Sequence, residues 1–76
     1  MTPKKTLDAR GLLCPLPVLK LRKRLKSLRP GEEIAMQADD PAAVIDVPHF
    51  CAESGHVLRS VAEADGVQTY VIRKSG

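Results

Sequence analysis

A cysteine lies where a short strand is predicted to pass into a helix, and it is the residue best placed for nucleophilic chemistry. Cys14 is followed directly by Pro15, and a second proline, Pro17, comes two residues later. Proline is favoured at the first helical position, because an N–H there would lack an intrahelical partner, so Cys14 is predicted near the N-cap of the following helix. The positive end of a helix dipole lowers the pKa of a cysteine and favours the thiolate. We therefore expect Cys14 to be a reactive thiol with a lowered pKa.

The two cysteines and two histidines of the chain also allow other interpretations. Free cysteine is among the most buried residue types, so a structural role for Cys14 in a tight turn is the alternative. Cys51 falls on the apolar stripe of a predicted second helix, which favours a core role over a second reactive thiol. The predicted elements give no reason to expect the proximity that a disulfide between the two would need. His49 and His56 lack paired ligand spacing, so no metal site is predicted.

The size and composition of the chain indicate one small domain. It has 76 residues, of which 43% are hydrophobic, and we expect residues 1–4 to be flexible. No signal peptide or membrane-spanning stretch is predicted, so the expected location is a reducing cytoplasm, where Cys14 stays free to react. Phe50 and Tyr70 are the only aromatic residues. That scarcity argues against a sheet that stacks RNA bases on exposed rings.

Hydrophobic periodicity predicts an α+β fold. Alternating apolar and polar residues predict four strands, over residues 5–9, 33–39, 56–64 and 67–73. Apolar residues at steps of three and four predict helices over residues 15–28 and 41–54, the second kinked or divided at Pro48. The order β-α-β-α-β-β predicts a two-layer α/β sandwich, in which a four-stranded mixed sheet carries both helices on one face.

Five residues near the cysteine are predicted to shape its loop or a neighbouring cap. Gly11 follows Arg10 in the turn after the first strand, where it supplies a backbone conformation that larger residues resist. Asp8 lies at the end of that strand and is expected to hold the loop that carries Cys14, while Asp40 is predicted to be the N-cap of the second helix. Pro15 and Pro17 each remove a backbone N–H close to the sulfur.

Positive charge is concentrated on the first predicted helix. Six of the twelve lysines and arginines lie between Lys20 and Arg29, and the net charge is +3. Because this helix begins at Cys14, we expect its exposed basic residues to contact an acidic surface of a docked protein partner. The residues predicted to make these contacts are Arg22, Lys23 and Lys26. One alternative is a solvated helix face that binds nothing. The other is direct binding of nucleic acid such as RNA, which is less favoured than docking of a protein.

The residues around the cysteine resemble a known family. The segment LDARGLLCPLP at residues 7–17, with its Cys-Pro-x-Pro element, resembles the signature of the SirA/TusA sulfur-carrier family. The resemblance continues through residues 29–32, 38–41, 46–51 and 70–74, and it is greatest to the branch that serves tRNA 2-thiouridine formation. Relatives often have a charged residue between the two prolines, where this chain has Leu16.

The resemblance implies a fold, an activity and a set of partners. The implied fold is that of the C-terminal domain of translation initiation factor three, and the implied activity is that of a sulfurtransferase. Cys14 would accept sulfane sulfur from a cysteine desulfurase or another persulfide donor and relay it to an acceptor protein, with no cofactor of its own. The alternatives are a sulfur carrier in dissimilatory sulfur oxidation and a non-catalytic RNA-binding or regulatory module.

Overall fold

The structure, a computed structural model, describes residues 5–76, and the expectation for residues 1–4 lies outside this range. Four strands and two helices follow one another in the predicted order: β1 (Lys5–Asp8), α1 (Leu16–Leu25), β2 (Glu33–Ala38), α2 (Ala43–Ser54), β3 (Val57–Ala64) and β4 (Val67–Arg73).

The strands form one mixed sheet in the order β1-β2-β4-β3. β1 runs parallel to β2, and the other two pairs are antiparallel. Alternate residues of β2 face alternate residues of β4, with Ile34 opposite Ile72 and Met36 opposite Tyr70. All four side chains are buried in a single core cluster with apolar residues of both helices. The predicted α+β sandwich with its mixed sheet is confirmed.

The two helices differ from their predicted bounds. α1 ends at Leu25, three residues before Leu28, because the chain tightens into i→i−3 hydrogen bonds while Leu28 itself stays buried. α2 is one continuous helix through Pro48, so of the two predicted alternatives the division at Pro48 is wrong. Val47 and Cys51 anchor it on either side of the proline by burial in the core. The helix stops at Gly55, whose φ of 79° is left-handed.

The parallel pairing of β1 with β2 determines where the loops lie. The carboxyl ends of parallel strands meet at one edge of a sheet, so the loop after β1 and the loop after β2 are neighbours. The first of these loops carries Cys14 into α1, and the second leads into α2. The amino-terminal ends of both helices therefore meet at one edge of the molecule. Within residues 5–76, neither helix is long and apolar enough to cross a membrane.

Candidate functional site

Cys14 lies exposed in the loop between β1 and α1. Its peptide bond to Pro15 is cis, and α1 begins at Leu16 with Pro15 in the N-cap position. The prediction that Cys14 caps the helix is therefore wrong by one residue. Its thiol is engaged elsewhere, because Sγ donates a hydrogen bond to Oδ2 of Asp46 at 2.8 Å. This side-chain contact joins the loop before α1 to the first turn of α2.

Because of the contact with Asp46, the pKa of Cys14 shifts in the direction opposite to the one expected from the sequence. The hydrogen bond to Asp46, partial desolvation of the sulfur by neighbouring groups, and the negative charges of Asp46 and Asp40 together raise the pKa of Cys14 above its ordinary value. The expectation of a lowered pKa considered only the helix dipole. A carboxylate in direct contact with the sulfur opposes a second negative charge more strongly than the helix terminus favours it, since the dipole effect falls off within one turn. This shift favours the neutral thiol of Cys14 over the thiolate.

Two carboxylates of the β2–α2 loop hold the backbone of the Cys14 loop. Oδ2 of Asp40 accepts the backbone N–H of Cys14 at 2.5 Å, and its Oδ1 accepts the backbone N–H of Ala42 at 3.2 Å. Oδ1 of Asp39 accepts the N–H of Gly11 at 3.0 Å. Asp40 is therefore not the N-cap of α2, which is Ala42, but a bridge between the two loops. Such hydrogen bonds to ionised acceptors are stronger than neutral ones.

Asp8 orders the start of the same loop through Arg10. Its carboxylate accepts the backbone N–H of Arg10 at 3.0 Å and the guanidinium at 2.9 and 3.1 Å. These bonds hold the pKa of Asp8 at about 2. Nζ of Lys20 on α1 donates to the Asp8 carbonyl at 2.9 Å. Asp8 thus lies at the end of β1, as predicted, and its carboxylate binds the backbone and side chain of the loop residue Arg10 and not the thiol.

The glycine and the prolines of the predicted site have distinct positions. Gly11 has φ of 78°, a conformation that favours glycine, and open space surrounds the place where a Cβ would project. Pro15 is exposed, whereas Pro17 in the first turn of α1 is buried. Pro17 therefore anchors the start of the helix in the core, three residues from the sulfur.

Exposed apolar side chains flank the contact between Cys14 and Asp46. Leu13 is 71% exposed and Leu16 is 49% exposed, on either side of Cys14 and Pro15 in the chain. Ile45, which directly precedes Asp46, is 73% exposed. We call Leu13, Leu16 and Ile45 the apolar rim. Large apolar side chains grouped at an exposed functional site are typical of a surface that meets another protein.

Sequence reasoning missed Ile45 and Asp46. The signal that was available is topological. The β-α-β order brings the start of the second helix to the same edge as the start of the first, so any acidic residue in the first turn of α2 was a candidate neighbour of Cys14.

The basic residues chosen from the sequence are exposed on α1 and at its C-cap, Lys26, but divide into two groups. Arg22 and Lys26 line a shallow cleft between the helices, whose other members include Phe50, His56 and Lys74. Lys23 is exposed but does not line this cleft. Positively charged side chains and the aromatic ring of Phe50 thus line the same cleft.

The second cysteine and the histidines stand apart from the site. Cys51 is 2% exposed and belongs to the core, as its position on the apolar stripe predicted, and burial raises its pKa. Nε2 of His49 pairs with Glu53 at 2.9 Å on the surface of α2, and Nδ1 of His56 accepts the backbone N–H of Ser75. Among residues 5–76, no group of three or more His, Cys, Asp or Glu side chains is placed to hold a metal ion.

Comparisons with known proteins agree with this geometry. The family model described as "Sulfurtransferase TusA" matches residues 5–74. The chain is also similar to the crystal structure of a SirA-like protein from Desulfitobacterium hafniense, with a TM-score of 0.81 and 26% sequence identity. That match covers 93% of this chain and 97% of the other, so the whole fold is shared.

Proposed function

The chain belongs to the TusA sulfurtransferase family, and from this premise we propose that it carries sulfur in transit as a persulfide on Cys14. One observation carries the proposal. Cys14 is a free, exposed thiol on a loop fixed by hydrogen bonds, whereas Cys51 is buried in the core. A relay needs a sulfur that two successive partners can reach, and among the described residues Cys14 meets that requirement.

The chemistry of loading requires only the thiol and a donor. Sγ of Cys14 attacks the outer sulfur of a donor persulfide, R–S–SH, and a new S–S bond forms while the S–S bond of the donor breaks. The electron pair stays on the inner sulfur of the donor, which takes up the proton that Cys14 releases. The products are Cys14–S–SH and R–SH, so no oxidant or reductant is consumed. In discharge, the thiolate of an acceptor attacks the outer sulfur of Cys14 in the same way.

We assign the donor as a cysteine desulfurase or another persulfide donor, and the acceptor as a downstream relay protein that serves tRNA 2-thiouridine formation in the cytoplasm. The apolar rim would seal the region around the sulfur against water when a partner docks. Arg22, Lys23 and Lys26 would contact an acidic part of the partner surface. Charges at the periphery of an interface mainly raise the rate of encounter and set its specificity.

The function is tested by complementation in bacteria that lack their own TusA-type carrier. Transfer RNA from cells that express this chain is digested, and its 2-thiouridine content is measured by mass spectrometry. We expect restoration by the native chain and by Cys51→Ala, and none by Cys14→Ser, which retains the size and loses the sulfur. Restoration by Cys14→Ser would refute the persulfide, whereas failure of the native chain would refute the assignment to tRNA.

A further inference from the structure

Asp46 is the one side chain within hydrogen-bond distance of the Cys14 sulfur among residues 5–76. The bond is short for a sulfur donor, at 2.8 Å between Sγ and Oδ2. Asp46 is half-buried and lies in the first turn of α2, one residue before the fully buried Val47. Its backbone is therefore fixed by core packing, while its carboxylate reaches the exposed loop. This arrangement holds the thiol in one orientation.

The charges that face Cys14 from the elements packed around it are negative. Asp46 comes from α2, Asp40 from the β2–α2 loop, and Asp39 binds the same loop at Gly11. Arg10 and Lys20, the nearest positive side chains in the sequence, are directed to Asp8. Asp40 and Asp39 accept hydrogen bonds from backbone N–H groups. Asp46 is therefore the carboxylate that contacts the reacting sulfur.

A carboxylate in this position has two consequences for the sulfur. It accepts the thiol proton in a hydrogen bond, so the neutral thiol is favoured and the free protein resists alkylation and oxidation, both of which require the thiolate. It also repels reactants that bring negative charge to the sulfur and attracts those that bring positive charge. Both effects oppose indiscriminate reaction of an exposed cysteine.

We propose that Asp46 is a positioning residue that makes Cys14 a selective nucleophile, reactive towards sulfur donors that bring a positively charged group to the Asp46 carboxylate. This inference rests on the proposed function for its biological meaning. When such a cation pairs with Asp46, the hold on the thiol proton weakens, Cys14 ionises and attacks the outer sulfur of the donor. The proton passes to the donor thiolate that leaves, so the atoms and electrons balance as in the loading step.

The inference is tested with small thiol reagents of opposite charge, which require no sulfur donor. A methanethiosulfonate transfers its thioalkyl group to a cysteine thiolate and releases methanesulfinate. We compare the rate constants of the trimethylammonium-ethyl and sulfonato-ethyl reagents with Cys51→Ala protein, in which Cys14 is the only thiol. One unit charge at ~4 Å in water changes a rate about fivefold, so reagents of opposite sign should differ by roughly 25-fold because of Asp46.

Three variants on one helix separate charge from structure. Asp46→Asn keeps the shape and removes the charge, Asp46→Glu keeps the charge, and Glu53→Gln removes a carboxylate from the far end of α2. We expect the cationic-to-anionic rate ratio to fall roughly 25-fold in Asp46→Asn. The rate ratio should be unchanged in Asp46→Glu and in Glu53→Gln. The midpoint of the pH–rate profile for a neutral alkylating reagent should also fall in Asp46→Asn.

A rate ratio and a pH midpoint that Asp46→Asn leaves unchanged would overturn the inference. A fall of equal size in Glu53→Gln would overturn it as well, because the selectivity would then reflect net charge. Failure of the proposed function is a separate outcome. Without persulfide loading from any donor, the charge selectivity of Cys14 would still be measurable.

Discussion

The bridge that Asp40 makes between two loops gives a stability effect that can be worked out from the structure. Its two carboxylate oxygens accept two backbone N–H groups, one from Cys14 and one from Ala42. One bond is exposed and the other is partly buried, so water competes for the same groups, and we take each at the ordinary net value of about 1 kcal/mol; Asp40→Ala is then expected to lower the free energy of unfolding by about 2 kcal/mol. In a domain of this size that corresponds to a fall in Tm of roughly 8–16 °C.

Asp40→Asn gives an intermediate case. One amide oxygen replaces two carboxylate oxygens, so one of the two N–H groups keeps an acceptor, and we expect a loss of about 1 kcal/mol. The assay is urea unfolding followed by far-ultraviolet circular dichroism, because the chain has no tryptophan. Glu53→Gln is the control, since it removes one exposed carboxylate whose i,i+4 pair with His49 is worth little. If Asp40→Ala lies within ~0.5 kcal/mol of this control, Asp40 does not hold the loops together.

Three further predictions follow from the contacts of the site. Gly11→Ala forces a Cβ into a left-handed conformation, so it should cost about 1 kcal/mol in urea unfolding, and an unchanged midpoint would show that the turn is not held at this φ. The Asp8 carboxyl should titrate near pH 2 in an NMR experiment and return towards 3.8 in Arg10→Gln. Because its folded pKa is lowered, its contribution to stability is present above pH 4 and lost as pH falls through about 2. If the pKa of Asp8 stayed equally low in Arg10→Gln, the contact between Asp8 and Arg10 would not be its cause. Finally, the double change of Arg22 and Lys26 to Gln should slow persulfide loading at low salt more than Arg59→Gln does, with the difference shrinking as salt rises. Equal rates for the two variants would remove α1 from the docking surface.

The fold could be predicted, and Cys14 could be picked out as the candidate reactive residue, because both signals are local. Alternation in residues 33–39 and helical spacing around Leu21 and Leu25 each lie within one element, and the Cys-Pro-x-Pro run marks the boundary between two. The order of the elements then restricts the sheet to few arrangements. The elements that these local signals predict are present in the structure, and their ends differ from the predicted ends by at most three residues.

The electrostatics of the site could not be predicted, because they depend on residues far apart in sequence. Asp46 lies 32 residues after Cys14, and its carboxylate meets the sulfur only because β1 and β2 are parallel neighbours. From the local segment alone the helix dipole was the one visible influence on the thiol, and it indicated the wrong direction. Asp40 was misread for the same reason. An acidic residue before a helix is typical of a cap, and only the packed loops show that it binds the backbone of Cys14.

The central claim is that sulfur travels on Cys14, and the most direct measurement is the intact mass of the protein after loading. The native chain, Cys14→Ser and Cys51→Ala are each incubated with a cysteine desulfurase, its pyridoxal phosphate and cysteine, and the mass is recorded before and after treatment with a reductant. We predict a gain of one sulfur atom in the native chain and in Cys51→Ala, reversed by the reductant and absent from Cys14→Ser. A gain that persists in Cys14→Ser, or no gain in the native chain with an active desulfurase, would contradict the account.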